Sequence, residues 1–90
     1  MAEFHVELKE PARRQIQKLS PLVARRIVAA LEKLASNPYP RGTAIARLKG
    51  HDNVYRLRIG DWRAVFEIVG RTVSVLYVGK RSEIYSRGGF

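Results

Sequence analysis

Two neighbouring stretches of the chain, residues 54–59 and 62–68, alternate between apolar and other residues. A period of two predicts β-strands, because successive side chains of a strand point to opposite faces of the sheet. Gly60-Asp61 separates the two stretches, and a two-residue turn with glycine first predicts a hairpin closed by a type II′ turn. This turn sets the register and places Arg58 directly opposite Arg63. One face of the hairpin is apolar and is expected to lie in the core: Tyr55, Leu57, Ile59, Trp62, Ala64, Phe66 and Ile68.

The rest of the pattern predicts two helices and three further strands. Pro11 and Pro21 stand where a first helical turn tolerates proline, and Ser20 is suited to cap the second helix. The second helix is expected to end near Pro38, because the residue before a proline disfavours helix. In chain order we predict a strand at 4–8, a helix over 11–19, a helix from 21 to the Asn37-Pro38 pair, a short strand at 45–48, the hairpin, and a strand at 73–78.

These elements predict an α+β fold in a single domain over residues 1–90, with residues 86–90 as a loose tail. The short link between the helices predicts an antiparallel αα-hairpin. We expect one antiparallel sheet, in which three to four strands follow the N-terminal strand, with both helices packed on one face. Such a sheet can leave its other face open to solvent. That open face carries Arg56, Arg58 and Arg63.

The Arg58–Arg63 pair bears on function, because like charges directly opposite each other destabilise a sheet. One interpretation is that an anion, absent from the free protein, binds between the two side chains. Guanidinium groups suit phosphate oxygens because they bind them in a bidentate manner. The alternative is that the two long side chains splay into water at a small cost in stability.

The overall charge is consistent with an anionic partner. The 90 residues include 17 Lys and Arg against 8 Asp and Glu, a formal net charge of +9. This balance predicts nucleic acid or an acidic protein as partner, without separating the two. The absence of cysteine excludes a disulfide and a thiolate metal site. No stretch approaches the roughly 20 apolar residues of a membrane span, and the N-terminus lacks the pattern of a secretory signal. We therefore expect a cytoplasmic protein with no membrane partner.

Several short motifs occur in a fixed order along nearly the whole chain. They are Leu48-Lys49-Gly50, Tyr55-Arg56-Leu57-Arg58, Gly60-Asp61-Trp62-Arg63, and a terminal Gly79-x-Arg81 followed by Glu83-x-Tyr85. With the preceding strand and helix pair, this order resembles the RelE/ParE superfamily of bacterial toxins, and the RelE branch most closely. The resemblance implies a RelE-like fold and a toxin that cuts messenger RNA in the ribosomal A site. It also implies an acidic, RelB-like antitoxin from the same operon, and it leaves open binding of operator DNA through that antitoxin.

The chemistry implied by the resemblance is attack of an RNA 2′-hydroxyl on its own adjacent phosphate, without a metal or cofactor. Arg56 and Arg58 stand where RelE proteins often have lysines that contact RNA and help to remove the 2′-hydroxyl proton. Arg63 matches the arginine that stabilises the transition state. Arg81 matches one that serves the phosphate or leaving group, and Tyr85 matches a tyrosine that stacks on or orients the nucleotide. Lys49, in the first motif, is a further candidate RNA contact.

The general base is the least defined part of this prediction. Arginine at positions 56 and 58 retains the charge of the family's lysines, but a guanidinium does not deprotonate in proteins. Lys80 is then the best candidate base, and otherwise water or the ribosome would accept the proton. A second function remains open, since ParE-like chains share the fold and inhibit DNA gyrase without catalysis. The set of basic residues favours the nuclease.

Overall fold

The computed structural model describes residues 3–84 and contains every predicted helix and strand. The elements are β1 (His5–Leu8), α1 (Glu10–Gln17), α2 (Pro21–Glu32), a 3-10 turn (Lys33–Ala35), β2 (Ile45–Arg47), β3 (Val54–Ile59), β4 (Trp62–Val69) and β5 (Thr72–Lys80). In this part of the chain no helix is both long and apolar enough to cross a membrane. The predicted tail at 86–90 lies outside the described residues.

The second helix begins as its sequence predicts. The Ser20 hydroxyl accepts a hydrogen bond from the Val23 backbone N–H at 3.4 Å, and Pro21 is the first helical residue. The helix ends in the 3-10 turn, before Asn37 and Pro38. The Asn37 side chain accepts a bond from the Tyr39 N–H at 3.2 Å, which directs the chain out of the helix and into the loop.

The sheet has five strands in the order β1-β5-β4-β3-β2. β2 to β5 pair antiparallel as predicted, whereas β1 pairs with β5 in parallel, from His5 opposite Thr72 to Leu8 opposite Val75. The α+β class is therefore confirmed, but the expectation of a wholly antiparallel sheet fails at the N-terminal strand. Antiparallel neighbours are favoured where a tight turn joins them. β1 and β5 are separated by most of the chain, so no such turn fixes their direction.

The β3–β4 hairpin has the predicted register, with Arg58 opposite Arg63 and Ile59 opposite Trp62. Gly60 has a φ of +60°, and no non-glycine residue within 3–84 has a positive φ, Asp61 included. A positive φ at the first central residue alone is the property of a type II′ turn, whereas type I′ requires it at both. The turn type is thus consistent with the prediction.

The main core lies between the helices and one face of the sheet. Ala12 of α1 and Ile27 and Leu31 of α2 are buried against sheet residues that include Phe66 and Val75. The seven hairpin residues expected in the core all belong to this cluster, fully or at its margin: Tyr55, Leu57, Ile59, Trp62, Ala64, Phe66 and Ile68. Their burial confirms that the helices pack on one face.

The opposite face, here called the open face, is not wholly bare. Ile84 is 1% exposed and packs on it with Val54 and Val65, and Leu76 and Tyr77 contact the same small cluster. The residues after β5 thus fold back over the middle of the open face. This second cluster lies beside the arginine end of the face, where the candidate site is located.

Candidate functional site

Arg58 and Arg63 lie side by side on the open face, next to the Gly60 turn. Arg63 is only 7% exposed, and its Nη1 donates hydrogen bonds to the carbonyl oxygens of Gly60 at 2.7 Å and Trp62 at 2.8 Å. Arg58 is exposed, and its guanidinium has no hydrogen bond or ion pair with residues 3–84. The pair therefore combines one cation held in place by the turn with one that is available to a ligand.

Arg56 lies on the same face, two residues back along β3 and opposite Val65. Its Nη1 donates to the Thr43 carbonyl oxygen at 3.1 Å, so the side chain reaches toward the loop that precedes β2. The structure thus brings together the three arginines that the alternation predicts on this face, with Arg58 and Arg63 as the closer pair.

Lys80 lies on the other face of the sheet. It pairs with Trp62, a residue of the helix-covered face, and its Nζ is 5.8 Å from the centroid of the Trp62 ring. This distance is typical of a cation–π contact. The structure therefore does not bring the candidate base together with Arg58 and Arg63.

A bulge in β5 is the reason for this placement. Val65 pairs with Tyr77 but the next residue, Phe66, pairs with Val75, so Leu76 is an extra residue in the strand. Adding one residue moves every later side chain to the opposite face. In a regular ladder Lys80 would project from the arginine face. With the bulge, Gly79 takes the position opposite Arg63.

Arg81 lies beside the turn of the hairpin. Its backbone N–H donates to the Asp61 carbonyl oxygen at 2.9 Å, and its side chain is exposed. Arg81 borders an open cleft of about 320 Å³ together with Asp61, Lys80 and Ser82. Arg81 thus joins the arginine end of the molecule, at the tip of the sheet.

The remaining predicted residues are elsewhere. Lys49 is exposed in the loop before β3, and the length of β3 separates this loop from the Gly60 turn by roughly 17 Å. Tyr85 lies outside the described residues, so its predicted role stays a prediction.

Within residues 3–84, no group of three or more His, Cys, Asp and Glu could hold a metal ion.

Two contacts at this site had no signal in the sequence pattern. The Arg26 guanidinium of α2 lies against Gly60, with its Nη2 2.6 Å from where a Cβ on that glycine would lie. On the open face, Ile84 Cδ1 lies 3.3 Å from the corresponding position on Gly79. The Arg26–Gly60 contact joins segments that are distant in sequence, whereas the Ile84–Gly79 contact joins the end of β5 to the residues that follow it. Each depends on a glycine that has no side chain in the way.

Helix α1 carries its own arginines, but both of these form ion pairs with one glutamate. Arg13 forms an ion pair with Glu10, and Arg14 Nε lies 3.1 Å from Glu10 Oε1. The hydrogen bond and charge of Arg13, together with the hydrogen bond from Arg14, hold the pKa of the Glu10 carboxyl below its ordinary value. The arginines of this helix are therefore each in contact with a carboxylate, whereas Arg58 at the hairpin end is not.

Comparisons with known proteins agree with this architecture. The family described as "ParE toxin of type II toxin-antitoxin system, parDE" matches residues 6–85. A protein of Methanocaldococcus jannaschii named "Putative toxin RelE1" is 30% identical over 86 residues, which cover 92% of this chain and 96% of that protein. An Escherichia coli protein named "Putative RelE-like toxin protein" is 28% identical over 89 residues, covering 92% and 90% of the two chains.

Solved structures show the same fold. The RelE–RelB complex from Pyrococcus horikoshii contains a chain that superposes with a TM-score of 0.76 at 22% identity, covering 90% of this chain and 98% of that one. A mutant of the E. coli toxin RelE in the free state gives a TM-score of 0.71 at 30% identity, covering 96% and 93%. The matching family carries the ParE description, whereas these relatives carry RelE names.

Proposed function

Because the chain belongs to the RelE/ParE superfamily of toxins from type II toxin–antitoxin systems, we propose that it is a ribosome-dependent endoribonuclease that cleaves messenger RNA. The observation that carries the proposal is the Arg58–Arg63 pair, two like charges placed directly opposite each other on a sheet face that the helices do not cover. A transferring phosphoryl group is the anion that would offset their repulsion.

The proposed reaction is metal-independent. The 2′-oxygen attacks the adjacent phosphorus and the bond from phosphorus to the 5′-oxygen breaks. One product carries a 2′,3′-cyclic phosphate, and the other carries a 5′-hydroxyl, whose proton comes from water or a ribosomal group. Negative charge develops on the phosphoryl oxygens in the transition state. Arg63 is suited to stabilise it, because the carbonyl oxygens of Gly60 and Trp62 fix its guanidinium in advance. Arg58 and Arg81, both exposed, would bind the phosphate and the leaving 5′-oxygen.

The proton of the 2′-hydroxyl needs an acceptor, and the arginines do not supply one. Lys80 projects from the helix-covered face and contacts Trp62, so it could act only after its side chain crosses the end of the sheet. We therefore favour water or a ribosomal group as acceptor. In this scheme the protein contributes positioning and charge stabilisation, as enzymes of phosphoryl transfer commonly do.

The proposed partners follow from the same family. Solved relatives are RelE–RelB complexes, which supports an antitoxin as the partner of this chain. We propose that the antitoxin is acidic and covers the arginine end of the open face, that the ribosome and messenger RNA are the other partners, and that operator DNA is bound through the antitoxin.

The test is inducible expression in a bacterium, with new 5′ ends mapped on one message that has its start codon and on one that lacks it. We expect cuts within codons on the first and none on the second. Arg63→Ala and Arg81→Ala should remove the cuts. Arg47→Ala is the matched control, because Arg47 is an exposed arginine that pairs with Tyr55 on the helix-covered face. Full toxicity in the double variant of Arg63 and Arg81 would contradict the proposed site.

A second function, inhibition of DNA gyrase, is supported by the ParE description of the matching family. Growth arrest with DNA-damage signalling and without cuts in the translated message would favour it over the nuclease.

A further inference from the structure

The four helix arginines are not equivalent. Arg13 and Arg14 of α1 both pair with Glu10. Arg25 and Arg26 are consecutive and exposed in α2, and neither forms an ion pair or side-chain hydrogen bond with residues 3–84. Of these two, Arg26 is the one that reaches the β3–β4 turn. α2 thus contributes a single guanidinium to the arginine end of the sheet.

Two guanidinium groups converge on Gly60 from different parts of the fold. Arg63 Nη1 donates to the Gly60 carbonyl oxygen at 2.7 Å. On the Cα side of the same residue, Arg26 Nη2 and Cζ lie 2.6 Å and 3.2 Å from where a Cβ would be. Any side chain at position 60 would occupy the place of the Arg26 guanidinium. The lack of a side chain at Gly60 therefore serves both the turn and the close approach of the Arg26 guanidinium.

The resulting charge arrangement is unfavourable without a ligand. Arg58, Arg63 and Arg26 follow one another from the open face, over the turn, to α2. Asp61, the acidic residue of the turn, forms no ion pair with Arg26 or Arg58. Repulsion among these cations is reduced when phosphate groups bind to them, and guanidinium groups donate bidentate hydrogen bonds to phosphate oxygens.

We infer that Arg26, together with the Gly60 turn, forms a second phosphate subsite, which binds a non-scissile phosphate of the RNA strand next to the Arg58–Arg63 site. The inference rests on the proposed function and extends it. The strand would cross the tip of the hairpin and continue onto the surface of α2. Arg26 is in this view an RNA-binding residue, whereas Arg25, its neighbour in sequence, is an ordinary solvated charge.

The experiment measures binding without cleavage. The protein, made by cell-free synthesis, is titrated against a fluorescent single-stranded oligodeoxynucleotide, which lacks the 2′-hydroxyl needed for the reaction. Arg26→Gln is compared with Arg25→Gln, which removes the same charge one residue away. We expect Arg26→Gln to weaken binding about tenfold. It should also reduce the slope of log affinity against log salt by about 0.7, the value for one phosphate contact on a single strand. Arg25→Gln should leave the slope unchanged.

Further variants separate charge from packing. Arg26→Lys keeps the charge and should retain the salt slope of the parent. The proposed subsite is wrong if Arg26→Lys has the same reduced salt slope as Arg26→Gln. It is also wrong if Arg26→Gln and Arg25→Gln have the same affinity and the same salt slope. The proposed subsite would also be overturned if Arg26→Gln weakened the binding of polyglutamate and left oligonucleotide binding unchanged. The ligand of Arg26 would then be an acidic protein segment. If oligonucleotide binding depends on Arg26 as expected but the parent chain cuts no messenger RNA, the proposed function fails and the subsite stands.

Discussion

Arg58 and Arg63 are a cross-strand pair whose like charges lower the stability of the sheet. Cross-strand pairs of opposite charge stabilise a sheet, and like charges opposite each other destabilise it. A glutamate at position 58 would face the guanidinium that Gly60 and Trp62 already hold in place. The sequence has arginine at this position and lacks that stabilisation, as expected if Arg58 binds a ligand.

We predict that Arg58→Glu raises the free energy of unfolding by about 0.2–1 kcal/mol and abolishes messenger RNA cleavage. Urea denaturation and 5′-end mapping measure the two effects. Arg56→Glu makes the same charge change on the same face, but it faces Val65 and loses the bond to Thr43, so it should not be stabilising. A stable Arg58→Glu variant that still cuts would show that this arginine is dispensable.

Gly60 carries a prediction of its own, because its φ of +60° is unfavourable for any residue with a Cβ. Gly60→Ala should lower the free energy of unfolding by about 1–2 kcal/mol, as measured by urea denaturation. Gly42, in the loop before β2, also has a positive φ but has no atom within 4 Å of its Cβ position. Gly42→Ala should therefore cost stability, yet it should leave cleavage intact, whereas Gly60→Ala displaces Arg26 and should impair it.

At the scale of elements, local and distant pairings differ in how far the sequence predicts them. The hairpin register follows from a two-residue turn between two alternating stretches, and the structure has that register. The Leu76 bulge has no such signal, and it decides that Gly79, not Lys80, lies on the face of Arg63. The direction of β1 and the packing of Ile84 likewise depend on partners far away in the chain. The sequence therefore predicted the placement of Arg58 and Arg63 on one face but not the placement of Lys80 on the other.

The segment after β5 is held on the open face by the Ile84–Gly79 contact, and this coupling can be measured. Gly79→Ala would place a Cβ 3.3 Å from Ile84 Cδ1, a close approach that requires the Ile84 side chain to shift. Ile84→Val removes that methyl group, at about 0.5–1.5 kcal/mol. We predict that Gly79→Ala costs less in the Ile84→Val background than in the parent. Additive effects in a double-mutant cycle by denaturation would contradict the contact.

In helix α1 the pKa of Glu10 is shifted by its arginine neighbours. Arg13 and Arg14 lower the pKa of Glu10 below its ordinary value of 4.5, so the folded state favours the carboxylate. A group with a depressed pKa stabilises the fold above its unfolded pKa, and this contribution is lost as pH falls through the folded pKa. The parent should therefore have a higher Tm than Glu10→Gln at pH 7, by a small margin since the group is exposed. The difference should shrink as the pH falls below 4.5 and disappear only below the lowered pKa of the folded state. A difference that stays constant through this range would exclude this origin.

The whole molecule is strongly basic, and several of its arginines meet at one turn. With a net charge of +9, it pairs two arginines of α1 with Glu10 and leaves Arg58, Arg26 and Arg81 exposed around one turn. Composition alone predicted an anionic partner but could not separate nucleic acid from an acidic protein. Under the proposed function the two partners would compete, because an antitoxin that covers the arginine end would exclude the RNA from it.

This mutual exclusion gives a prediction for the assembled complex. If the antitoxin covers the arginine end, the complex should elute from a heparin column at lower salt than the free toxin, because fewer exposed cations remain to release counterions. The matched comparison is Arg58→Glu against Arg47→Glu, two equal changes of net charge. The first should lower the elution salt of the free toxin more than the second, and the two should elute together once each is bound to antitoxin. Elution of the complex at the same salt as the free toxin would place the antitoxin elsewhere on the fold and leave the arginine end open to RNA.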